Sequence, residues 1–219
     1  MKKIVSCALV LTMLASLTGC FSKGGFSGKE KKFIKAAENC CGASEATKKQ
    51  KKEIKQTDFT PSSANFEDGA YVTFGSDDLE DFNFDQTEFD EEDMKNMFLF
   101  VKSEESASYI IAYVIEATDE DAAETIYDHF MTILGTTEKE LKKSAKKHDA
   151  EYGFEDDDDM LAAIMASEDL NKATGVYLKR DSKVISICYY EGKTDADLYE
   201  EYFEFSKDAG LTDMEALME

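Results

Sequence analysis

Residues 97–135 read MFLFVKSEESASYIIAYVIEATDEDAAETIYDHFMTILG, and the fold follows from how this stretch is parsed. Met97–Lys102 has the composition of a strand. Tyr109–Ala117 carries apolar residues on both faces from Tyr109 to Ile115, which places it centrally in a sheet. Ser103–Ser108 is the polar connection between the two. Thr118-Asp119-Glu120-Asp121 then has the form of a capping box with Asp in the Glu position, opening a helix. Ala122, Ile126, Phe130 and Ile133 share one face of that helix, and Gly135 ends it.

The same order of parts recurs near the C-terminus. Ala173–Lys179 and Lys183–Glu191 read as a hairpin about Arg180-Asp181-Ser182. Thr194-Asp195-Ala196-Asp197 follows as a cap, with Leu198, Tyr202, Phe205 and Ala209 on the inner side of a helix that stops at Gly210. Each ββα unit has one apolar sheet face and one apolar helix stripe, and two units side by side bury both. The predicted fold is therefore α+β, a largely antiparallel sheet of about five strands covered by helices, built from two ββα units.

The remaining chain supplies smaller elements. Lys29–Cys41 has Phe33, Ala37, Cys40 and Cys41 at helical spacing, with Gly42 in place to end the helix. Ala70–Phe74 reads as a strand. Gly75–Asp93 reads as an irregular acidic segment pinned by Leu79, Phe82, Phe84 and Phe89. Thr137–Glu140 is a second capping box, opening a basic helix with Leu141, Ala145 and His148 on one side. Tyr152–Asp159 is expected as an acidic loop, Met160–Asn171 as a short helix, and Leu211–Glu219 as a terminal helix.

Residues 1–20, MKKIVSCALVLTMLASLTGC, are expected to be a signal rather than structure. Two lysines precede the apolar run Ile4–Leu17, whose 14 residues fall short of the ~18 that a spanning helix needs. The closing Leu17-Thr18-Gly19-Cys20 resembles a bacterial lipoprotein signal. The resemblance covers these twenty residues only. It implies cleavage before Cys20, a diacylglyceryl group of palmitate-type chains on its sulfur, and a lipid-anchored location on the extracytoplasmic face of the cell membrane. Two acyl chains make such attachment stable where one is marginal.

Charge divides the rest. Residues 21–57 hold ten lysines and four glutamates, a net of +6 (10 − 4), whereas 58–219 hold 13 basic and 43 acidic residues, a net of −30 (13 − 43). The expected organisation is a signal peptide over 1–19, a lipidated cysteine and flexible tether over 20–28, a lysine-rich helical stem over 29–57, and an acidic α+β domain over 58–219. Basic side chains beside a bilayer are attracted to anionic lipid, and the acidic body is repelled by it. Nucleic acid is excluded as a partner of the body, because phosphate neutralisation needs a basic face and Arg180 is the sole arginine.

Cys7 leaves with the signal, and Cys20 is taken by lipid. Cys40, Cys41 and Cys188 remain, an odd number, and are expected as reduced thiols packed as small hydrophobes. His129 and His148 are the only histidines, and neither has a carboxylate or cysteine four residues away, so both read as structural. G-x-S-x-G, the P-loop and G-x-G-x-x-G are all absent. One weak metal pattern stands: Asp81, Asn83, Asp85 and Glu92 echo the ligand order of an EF-hand loop, which would make Ca²⁺ the cofactor. It departs where Gln86 replaces the turn glycine and Glu88 an apolar residue.

The expected function is that of a surface-exposed envelope lipoprotein, a non-catalytic binding or scaffolding module. Its partners would be the membrane through Cys20 and an extracytoplasmic protein, peptide or cell-wall ligand. A calcium- or cation-binding lipoprotein is the second reading, and an enzyme of unrecognised type the third.

Overall fold

The computed structural model describes residues 28–55, 66–82, 84, 87–104 and 108–218. Cys20 and the whole signal-like segment lie outside them.

In chain order the elements are α1 (Gly28–Cys41), β1 (Ser44–Glu45), α2 (Lys48–Lys55), β2 (Ala70–Gly75) and α3 (Ser76–Leu79). The 3-10 turn Glu91–Asp93 leads into β3 (Met94–Glu104), β4 (Ser108–Ala117), α4 (Glu120–Leu134) and α5 (Glu138–His148). β5 (Glu151–Asp157), β6 (Met160–Ser167), β7 (Lys172–Asp181), β8 (Val184–Gly192) and α6 (Asp197–Asp208) complete the series, with a last 3-10 turn at Ala216–Met218. The strands form one sheet in the order β1-β2-β3-β4-β8-β7-β6-β5. Every neighbouring pair is antiparallel except β1–β2, which is parallel. The class is α+β, as predicted.

β4 sits centrally because its side chains feed two cores. Ile111, Tyr113 and Ile115 point into one, shared with Ile126 and Phe130 of α4. Ile110, Ala112 and Val114 point into the other, shared with Phe33 of α1 and Tyr202 and Phe205 of α6. A strand with period-two side chains and helices over both faces must be apolar throughout, which is what residues 109–115 are.

The sheet has eight strands rather than five, and two segments account for most of the difference. Met160–Ser167 is β6, not a helix, and it hydrogen-bonds to β5 and β7 along its length. Met160, Leu161, Ile164 and Met165 satisfy a helical repeat, but the apolar run of seven, Met160–Ala166, fits a doubly buried strand as well, and periodicity does not separate them. Tyr152–Asp159 is not a loop; most of it is the edge strand β5. Its exposed Glu151, Glu155, Asp156 and Asp157 keep that open edge from pairing with another chain. At the C-terminus only Ala216–Met218 is helical, as a single 3-10 turn.

The lysine-rich segment is not a stem standing apart from the acidic body. Phe33, Ala36, Ala37 and Cys41 of α1 are buried against α6 and the sheet, and Ile54 of α2 is buried in the opposite core. Ion pairs fasten both helices: Lys29 to Asp181 at 2.9 Å, and Lys55 to Asp78 at 3.2 Å and Asp81 at 2.8 Å. The excess positive charge of this segment is complementary to the body it packs on. Gly42, with φ of 62°, reverses the chain after α1 as its position implied.

The two ββα blocks lie side by side through the β4–β8 pairing. Their helices, however, occupy opposite faces: α4 belongs to one core and α6 to the other. A rotation that exchanges antiparallel neighbours of one sheet keeps each face, so symmetric repeats would place both helices on the same side. The shared plan is therefore one of element order, without two-fold symmetry. Gly175 on β7 marks where α6 comes closest, since a Cβ there would lie 2.5 Å from the Tyr202 hydroxyl oxygen.

Candidate binding cleft

Among the described residues a cleft of 310 Å³ opens at one end of the sheet, lined by Glu67, Lys102, Ser103, Glu104, Asp197, Leu198 and Glu201. Three local structures converge there. Phe66 is buried, and its carbonyl accepts from Ser103 N at 3.1 Å and Gly69 N at 3.0 Å, so the turn before β2 presents Glu67. β3 carries Lys102 and Glu104 out of the sheet. α6 begins beside them, contributing Asp197, Leu198 and Glu201 from its first turns.

The start of α6 differs from its predicted form. Thr194 does not cap it; its Oγ1 donates instead to Asn171 Oδ1 at 3.0 Å, and Asn171 Nδ2 donates to Asp195 Oδ1 at 2.7 Å. The N-cap is Ala196, which has no side-chain acceptor. Glu104 Oε2 accepts from Leu198 N at 3.3 Å, so a carboxylate from β3 meets the positive end of the helix. Likewise α4 is capped by Asp119, not Thr118. The capping box Thr137–Glu140 of α5 forms as predicted.

Lys102 is the only cation of the lining. Its Nζ donates to Glu201 Oε1 at 2.7 Å, to Glu201 Oε2 at 2.6 Å and to the Cys41 carbonyl at 3.0 Å. An ammonium has three donors, and all three are taken. The side chains of Lys102 and Glu201 are only 15% and 24% exposed, so this pair is part of the cleft floor. Glu67, Glu104 and Asp197 add carboxylates with no further cation, and the lining carries a formal charge of −3 from four acids and one lysine.

The weak calcium pattern is only partly described: Asn83 and Asp85 lie outside the described residues. Asp81 accepts from Lys55 Nζ at 2.8 Å, and Glu92 sits in the 3-10 turn before β3. Among the described residues no group of three or more His, Cys, Asp or Glu side chains is placed to hold a metal ion. The acidic run Asp156–Asp159 ends at Asp159, which accepts from Arg180 Nε at 2.8 Å and Nη2 at 2.7 Å. Arg180 also meets Glu124 at 3.5 Å and lies over the Tyr127 ring at 5.6 Å, tying β7 to α4. The single arginine gave no sign of this role, because its partners come from two separate segments, α4 and the turn after β5.

Cys40, Cys41 and Cys188 are free thiols. Cys188 and Cys41 are buried. Cys40 is half-buried and donates to Asp208 Oδ2 at 3.6 Å, and burial together with that carboxylate pushes its thiol up to about 12. A thiol held this far from ionisation is a poor nucleophile.

His129 is buried, with its ring edge-on to Phe89 at 5.2 Å. Burial lowers its pKa below the ordinary 6.5, against a smaller opposing pull from Glu88. A histidine kept neutral by folding contributes stability that is present above 6.5 and is lost as pH falls through it, since the unfolded chain then binds the proton more tightly. Replacing His129 with Phe should therefore flatten the pH dependence of the urea midpoint between about one unit above and one unit below 6.5. Parallel profiles for the two proteins would contradict this.

No protein-family model matches the chain, and no curated protein matches it. Among solved structures, the extracellular domain of PknH from Mycobacterium tuberculosis is similar at a TM-score of 0.30 and 6% identity, over 54% of this chain and 66% of that one. No helix among the described residues is long and apolar enough to cross a membrane.

Proposed function

We propose that the chain is a lipid-anchored envelope protein on the extracytoplasmic face of the membrane, a non-catalytic binding module whose cleft takes a small ligand bearing positive charge. One observation carries the reading: the chain enters the fold at the end of the molecule opposite the cleft. Lys29, in the first turn of α1, pairs with Asp181 at the far end of β7, whereas the Cys41 carbonyl at the other end of α1 meets Lys102 in the cleft. The 14 residues of α1 separate these points by ~21 Å. Eight residue steps from Cys20 to Gly28 reach at most about 28 Å. A body moored at Cys20 by that length turns the cleft away from the bilayer, toward whatever lies beyond it.

The charge of the lining supports the ligand class. Lys102 has no donor left for an anion, while three carboxylates have no cation of their own in the cleft. Among the described residues, no histidine or cysteine lines the cleft.

Spermidine is a suitable probe, because its spaced ammonium groups match separated carboxylates. Calorimetric titration of the full chain should give saturable binding, weakened about tenfold when Glu67→Gln and Asp197→Asn are combined. Saturable binding that the double variant leaves unchanged, or no saturable binding at all, would remove the cleft from the account.

A further inference from the structure

The basic side chains of the acidic body are unevenly placed. Of the 13 over residues 58–219, five stand on the 11 residues of α5: Lys139, Lys142, Lys143, Lys146 and Lys147. At about 100° per residue they share one arc of the helix, opposite Leu141 and Ala145. All five are exposed. Leu141 packs against the core that holds Leu161 and Ala163, and α5 rests on β5 and β6, so the lysine arc points away from the sheet into solvent. The two glutamates of the helix leave it a net +3 (5 − 2), and Glu140 is engaged in the capping box with Thr137.

Folding does not account for this arc. Elsewhere the cations meet carboxylates within the fold, as Lys29, Lys55, Lys102 and Arg180 do. None of the five on α5 makes an ion pair with a described residue. Lys139–Lys143, Lys142–Lys146 and Lys143–Lys147 are like-charge neighbours at i, i+4, which work against the helix that holds them. Lys139 also stands in the first turn, where the helix dipole disfavours a cation.

We propose that the outer face of α5 binds a linear, phosphate-bearing polyanion lying along the helix. The lysines come in rows one turn apart, ~5.4 Å, over a length of ~12 Å. Each ammonium is a compact point charge suited to phosphate oxygens. α5 has no arginine to grip a carboxylate with two parallel bonds, and no Phe, Tyr or Trp on which a base would stack. The chemistry therefore favours an extended phosphate chain over an acidic peptide or a single-stranded nucleic acid. A bilayer fits worse. α1 belongs to the core on the opposite face of the sheet. Laying α5 on lipid would hold Gly28 on the order of 25 Å above it, close to the ~28 Å that the tether spans when fully drawn out. That choice of polymer over bilayer rests on the anchored reading; the contact itself does not. The net charge of −22 opposes approach at long range, but it is screened over ~8 Å at physiological salt, and the lysines are the outermost groups of their face.

The test titrates end-labelled inorganic polyphosphate with the full-length chain in non-ionic detergent and follows fluorescence anisotropy. Binding should saturate, and log affinity should fall against log salt with a slope of about −3.5, five lysines at ~0.7 each. Lys142→Gln with Lys146→Gln should weaken binding about tenfold and reduce that slope by about 1.4. The urea midpoint should hold or rise, because Gln is as good a helix former and the like-charge pair is gone. Lys31→Gln with Lys35→Gln, which removes two exposed lysines from α1, should change neither affinity nor slope. No saturable binding would overturn the proposal, as would binding indifferent to the α5 substitutions or weakened equally by the α1 pair. So would a loss of binding that tracks a fallen urea midpoint, or α5 variants defective only toward phosphatidylglycerol vesicles. The readout is the same whether or not Cys20 carries lipid, so failure here and failure of the anchor are told apart by the mass of the mature N-terminus.

Discussion

Replacing Phe205 with alanine is expected to lower the unfolding free energy by about 3–5 kcal/mol, a large part of the ~5–15 kcal/mol that holds a domain together. Phe205 is fully buried on α6, where its ring stacks on Phe100 of β3 at 5.1 Å and meets Phe33 of α1 edge-on at 5.6 Å. Phe33 in turn meets Phe98 edge-on at 6.1 Å. One ring therefore joins two helices and the sheet. Its neighbours are themselves large, rigid and locked by packing, so the site has little freedom to collapse into the space left behind. Phe203, half-buried on the same helix, should lose much less on truncation. Urea unfolding checks both through a change of midpoint at constant slope. Phe33→Ala is the informative companion. If α1 is part of the core, its loss should rival that of Phe205→Ala, and a double-mutant cycle should leave about 0.5–1.5 kcal/mol of coupling for the aromatic pair. A loss below about 1 kcal/mol at Phe33 would mean that α1 detaches freely and that the lysine-rich segment is a stem after all.

The second large effect is expected at Cys20. Cys20→Ser should move the protein from the membrane fraction into the soluble one, because a hydroxyl does not receive the diacylglyceryl group that a thiol does. Each buried CH₂ of an acyl chain contributes ~0.8 kcal/mol, so losing two chains removes effectively all of the attachment. The mature wild-type N-terminus should begin at Cys20 and carry the added mass of that group. A wild-type chain that still begins at Met1, or that carries an unmodified Cys20, would refute the anchored reading. The substitution has to be read alongside that mass, since an uncleaved variant would be retained by the apolar run Ile4–Leu17.

The outcome for the cleft and the outcome for the anchor are independent. Spermidine binding by a protein with a bare Cys20 would keep the binding module and discard its mooring. A lipidated chain with an inert cleft would do the reverse.

How much of this was legible beforehand depended on whether the signal was local. The doubly apolar run at 109–115, the inward residues Leu198, Tyr202, Phe205 and Ala209, the Thr137–Glu140 box and the stop at Gly42 each rest on contacts within a few residues, and each was readable from composition and spacing. Met160–Ser167 was not, because seven consecutive apolar residues satisfy helix and strand alike until β5 and β7 supply hydrogen-bond partners. Thr194 looked like a cap because its spacing was right, yet Asn171, 23 residues away, holds it. The cleft was invisible for the same reason: Glu67, Lys102 and Glu201 lie far apart in the chain and meet only when α6 docks at the end of β3. The sequence by itself determined the α+β class, the buried central strand, the acidic character of the body and the signal-like front end, since these depend on residue type and on periods of two and 3.6. Only the tertiary structure decided that the lysine-rich segment packs into the body, that the two ββα helices take opposite faces, and which charges find partners. Those outcomes depend on distances between residues that the chain keeps far apart.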